Sequence, residues 1–113
     1  MTSSRAQVYL WAAQRISAMV LGVCVLVHLI TMIYAVRGGL SAAEILGRTR
    51  GSFGWAAFYA TFVLAVSVHA AIGLRSILSE WLGVRGKALG AIVHLVALLL
   101  VVFGLRAVWA VVG

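Results

Sequence analysis

Three long stretches without a charged residue, Ile16 to Val36, Gly51 to Leu74 and Ala88 to Leu105, constrain this chain more than any other feature of it. Each is near or above the roughly 18 to 20 residues needed to cross a hydrocarbon core. They make 65% of the 113 residues hydrophobic against 10% charged, with a mean hydropathy of +1.15. A soluble domain of this size has too much surface for its volume to enclose that quantity of apolar side chain. The chain therefore reads as an integral membrane protein, and soluble enzyme folds, nucleic-acid modules and disulfide scaffolds fit it poorly.

Lipid-exposed backbone must satisfy its own hydrogen bonds, so apolar blocks of this length without proline predict helices. The expected fold is all-α, a single domain of three transmembrane helices running up-down-up at about 10–36, 53–79 and 87–112. The segment from Arg37 to Gly51 holds Glu44, Arg48 and Arg50 and is expected outside the membrane, with room for a short surface helix. Trp81 to Gly86 contains two glycines and suits a tight interfacial turn. Three spans put the N-terminus and the second connection on one face, side A, and the first connection and the C-terminus on the other, side B.

Nine arginines and lysines against two glutamates give a formal charge of +7. These charges flank the apolar blocks, which points to lipid headgroups, not nucleic acid. Arg5, Arg15, Arg75, Arg85 and Lys87 on side A face Arg37, Arg48, Arg50 and Arg106 on side B, so charge bias barely distinguishes the two orientations. The N-terminal stretch lacks a small-residue exit after its apolar run and is read as a retained span, not a cleaved signal. Cys24 lies inside the first block and has no intrachain partner for a disulfide.

All three histidines, His28, His69 and His94, fall within spans, where an ionisable side chain is costly and suggests function. Imidazole is a common axial ligand of haem iron. Ala65 and Gly73, four residues on either side of His69, share its helical face and leave room for a flat ring. Arg75 stands roughly 9 Å nearer side A, within reach of a haem propionate. His28 lies closer to side B and cannot share an iron with His69, whereas His94 reads first as a helix-contact residue. Near side A, Arg15, Ser17, Glu80 and Trp81 offer a cation, a hydroxyl, a carboxylate and an indole N–H that would grip quinone carbonyls. The bland counterpart is an arginine snorkelling to headgroups.

With Gln14-Arg15-Ile16-Ser17 in the first span, His69-Ala70-Ala71-Ile72-Gly73-Leu74-Arg75 in the second and Glu80 after it, the chain resembles the cytochrome b membrane-anchor subunits of succinate dehydrogenase and fumarate reductase. The resemblance covers nearly the whole chain. It implies half of a two-anchor helix bundle, partnered by a second anchor, an iron-sulfur subunit and a flavoprotein. It also implies haem b with His69 as an axial ligand, quinone near Arg15, and Arg75 at a propionate or at the edge of the quinone site. Two-haem relatives use a first-helix histidine for the distal haem, a depth that His28 shares, so one haem or two are open. The N-terminus would be cytoplasmic, in a bacterial inner membrane, and electrons would pass from succinate through flavin and iron-sulfur centres to quinone. The chain departs from the family at Trp11, where the larger anchor has a serine, and at Glu80-Trp81, where the smaller has Asp-Tyr. The competing class is a small transporter or an assembly protein without haem, but both glutamates lie at or beyond span ends, leaving no membrane-embedded acid for proton coupling.

Overall fold

A computed structural model describes residues 3–113. They form four helices: α1 Ser4–Arg37, α2 Ala42–Thr49, α3 Phe53–Glu80 and α4 Gly86–Val112. By length and composition α1, α3 and α4 are apolar enough to cross a membrane, and α2 is a short helix in the first connection. The expected all-α, three-span fold holds. Helix α1 begins six residues earlier than about residue 10, because Ser3 caps it: its hydroxyl oxygen accepts the Ala6 N–H at 3.1 Å.

The helix ends follow from local chemistry. At α2, Ser41 and Glu44 form a reciprocal capping box, with Glu44 N–H donating to Ser41 Oγ and Ser41 N–H to Glu44 Oε1. Ser52 caps α3 through the Trp55 N–H at 3.2 Å. Gly39 and Gly83 take positive φ, 65° and 68°, in the turns that follow α1 and α3, where a side chain would be strained. Within the spans, the hydroxyls of Ser17, Thr31, Thr61 and Ser67 each donate to a carbonyl three or four residues back. None of these four asks lipid for a hydrogen-bond partner.

Helix α3 is the spine. It packs against α4 most extensively and against α1 on another face. The α1–α3 seam is antiparallel, with Gln14 beside Gly73 towards side A and His28 against Tyr59 and Phe62 towards side B. On the α3–α4 seam Gly104 sits directly against Val63. Helix α2 folds under the bundle: Thr49 Oγ1 donates to the Val111 carbonyl at 2.8 Å and Gly51 N–H to that of Val112 at 2.9 Å. This places the first connection and the C-terminus at one end, as three alternating spans require. Arg48 also reaches over the Tyr34 ring at 5.9 Å, tying α2 to the end of α1.

Very little of the apolar surface is enclosed. Among the described residues Cys24, Ala65 and Leu89 are the buried hydrophobic ones, while Ile16, Met19, Val23, Leu26 and Ile30 form an exposed stripe down α1. Such a surface suits lipid tails or another membrane helix, not water.

Candidate functional site

The three histidines have different surroundings. His94 is exposed on α4, and its Nδ1–H donates to the Gly90 carbonyl at 2.6 Å, so one ring nitrogen is already engaged within its own helix. His28 Nδ1 lies 3.4 Å from the Tyr59 hydroxyl, and its ring meets Tyr59 and Phe62 edge-on at 5.8 Å between centroids. His69 is half-buried, and its Nδ1 is enclosed by protein without a hydrogen-bond partner. The exposure of His69 therefore lies elsewhere in the residue than at Nδ1. His28 and His69 differ in depth by seven to ten residues of α3, on the order of 10–15 Å, and cannot ligate one iron.

The flank of His69 is only partly as the sequence suggests. Ala65 is 7% exposed, closed off within the bundle. Gly73 faces α1, where a Cβ would stand 3.6 Å from Gln14 Nε2, so the space that glycine leaves is bordered by an amide. No group of three or more His, Cys, Asp or Glu residues comes together among the described residues. Metal chemistry here would rest on single imidazoles completed from another chain. A histidine with an enclosed, unpartnered nitrogen beside small neighbours fits an axial haem ligand in donor type and setting.

A cavity of about 860 Å³ lies beside His28, lined by Tyr59, Phe62 and Val66 of α3 and by Leu99, Phe103 and Gly104 of α4. Its walls are almost wholly apolar, and its volume falls within the roughly 300–1,000 Å³ of cofactor and ligand pockets. The sequence signalled His28 but not this cavity, nor the Tyr59 hydroxyl at its edge.

At the other end, a mixed cavity of about 650 Å³ is formed by Trp11 and Gln14 of α1, Arg75 and Glu80 of α3, and Arg85 and Leu89 of α4. Arg75 and Glu80 are thus brought together. The other quinone candidates stand outside its lining: Arg15 is exposed with its guanidinium 5.0 Å over the Trp11 ring, Ser17 is buried and donates to the Gln14 carbonyl at 3.0 Å, and Trp81 is exposed beyond the end of α3. Positions 15 and 17 lie about 200° apart around a helix, so both cannot face one cavity. Gln14, which the sequence presents only as a motif neighbour, is instead one of its lining residues, with a buried Oε1 that has no hydrogen-bond partner.

No curated protein and no solved structure matches the chain. The family model of the succinate dehydrogenase/fumarate reductase transmembrane subunit matches residues 1–106, which takes in all three spans up to the last turns of α4. With that match over most of its length, the chain belongs to the transmembrane-subunit family of succinate dehydrogenase and fumarate reductase.

Proposed function

We propose that this chain is a haem b-binding, quinone-site anchor of a succinate:quinone oxidoreductase. It holds the flavoprotein and iron-sulfur subunits at side A, with its N-terminus cytoplasmic in a bacterial inner membrane. The observation that carries the haem assignment is the setting of His69. Among the three histidines it is the one whose Nδ1 has no protein partner, on a residue that is only half-buried. That second anchor would supply the opposite ligand. The large apolar cavity beside His28 favours a second haem there.

When bound, haem supplies one-electron chemistry, while the protein contributes ligands, orientation and a low dielectric. His69 donates a nitrogen lone pair. Arg75, six residues nearer side A, offers a guanidinium to a propionate or to a quinone oxygen, and Glu80 offers an acceptor to a quinol hydroxyl in the same cavity. The apolar walls of the α3–α4 groove keep water from the distal end.

The test is a reduced-minus-oxidised optical spectrum of the complex purified through this chain, with haem quantified per flavin. At least one b-type haem per flavin is expected, and a second that disappears in His28→Ala assigns the apolar cavity. A complex with flavin but no haem would overturn the reading. In the same complex, Arg75→Leu should raise the KM for a soluble quinone about tenfold, the effect of losing a charge-assisted hydrogen bond of about 1.5 kcal/mol. An unchanged KM would remove Arg75 from the quinone site.

A further inference from the structure

Two buried side-chain atoms lack hydrogen-bond partners among the described residues, Gln14 Oε1 and His69 Nδ1. Both lie on the α1–α3 seam. Gln14 rests against Gly73, and His69 is one helical turn from Gly73 on the same face, about 6 Å along the axis. Their chemistry is complementary: an amide oxygen only accepts, and an imidazole Nδ1–H donates. Leaving both unsatisfied in a membrane interior is costly, so a shared partner would lower the free energy of each.

Ser17 supplies the third element. It is 6% exposed, and the antiparallel register set by Gln14 at Gly73 and His28 at Tyr59 puts it at a level between Gly73 and His69. Its hydroxyl hydrogen is used on the Gln14 carbonyl, which leaves its oxygen lone pairs for another donor. One water with three polar neighbours of this kind is a normal buried water.

We propose that Gln14 is a positioning residue for His69, holding the Nδ1–H of that imidazole through one buried water shared with Ser17. Resting on the haem-ligand reading of His69, this gives the imidazole its orientation and raises its basicity as a ligand, the role that acceptors behind metal-bound histidines play. Because the Gln14 side chain also lines the side A cavity, it joins the histidine to the place where quinone would sit.

The test uses the whole purified complex, reduced and labelled with ¹⁵N-histidine, comparing wild type with Gln14→Leu and Gln14→Glu. Two readouts are taken, the His69 Nδ1 resonance and the haem midpoint potential. Gln14→Leu should move the His69 resonance towards that of a weaker hydrogen bond and raise the potential, since a less basic ligand stabilises ferric iron less. Gln14→Glu should move both in the opposite direction. The His28 and His94 resonances, whose Nδ1 partners are Tyr59 and Gly90, should stay in place. A His69 resonance indifferent to both substitutions overturns the pairing, whatever the haem content. A complex without haem in which that resonance still responds upholds the pairing and instead sinks the ligand assignment.

Discussion

A complex carrying His69→Ala is expected to retain its flavin and iron-sulfur subunits and to lose the b-type haem held at that position. Haem iron in a membrane bundle is held chiefly by its axial nitrogens, and no second histidine stands at this depth on the α1–α3 seam to replace one. Assembly should survive, because the substitution removes a half-buried ring whose enclosed nitrogen makes no direct hydrogen bond to another side chain or to the backbone. Truncating such a ring costs packing at one position of the α1–α3 seam and breaks no direct protein hydrogen bond at Nδ1. The check is haem per flavin from the pyridine haemochrome spectrum, beside the subunit ratio on a gel. Unchanged haem with intact assembly would show that His69 is not a ligand.

The second large effect is expected from Gly104→Ala, which should lower the thermal midpoint of the complex by several degrees and reduce its yield. A Cβ at position 104 would lie 2.5 Å from Val63 Cγ1, 3.0 Å from Cγ2 and 3.3 Å from Cβ. Valine has a single strongly preferred rotamer in a helix, so neither methyl can turn aside without meeting the preceding turn. The helices must then move apart at the contact that binds α4 to its only extensive neighbour, and overpacking of this sort costs about 1–3 kcal/mol. Pairing Gly104→Ala with Val63→Ala should restore much of the loss, a coupling that a double-mutant cycle measures. If the single variant melts like wild type, the crossing is looser than the Gly104–Val63 contact implies.

Much of this architecture was legible because membrane spans are written in composition. The three uncharged blocks gave α1, α3 and α4, and the polar residues between Arg37 and Gly51 gave an extramembrane connection containing a helix. The early start of α1 was less visible: Arg5 and Gln7 look like a terminal tail, although Ser3 ahead of them is a capping residue. The sites were legible only as residue types. That Arg15 and Ser17 point apart while Arg75 and Glu80 converge depends on helix rotation within the bundle, which apolar blocks running all round a helix do not encode. The same holds for Gln14 against Gly73 and for Tyr59 against His28. These are facts of register between helices, and a single sequence carries no direct signal of register.

The docking of α2 has a consequence for how the chain is made. Its two acceptors, the carbonyls of Val111 and Val112, belong to the final turn of α4, so they are synthesised more than fifty residues after Thr49 and Gly51. Until the last turn of α4 has been made, the segment 42–49 has no docking partner there. The α3–α4 hairpin, joined by its five-residue turn, must enter the bilayer before the strap beneath it can close. Closure of α2 onto α4 thus registers completion of α4: a nascent chain cut short within α4 would leave the strap open and its loop accessible to proteases, whereas a chain made through Val112 seals it.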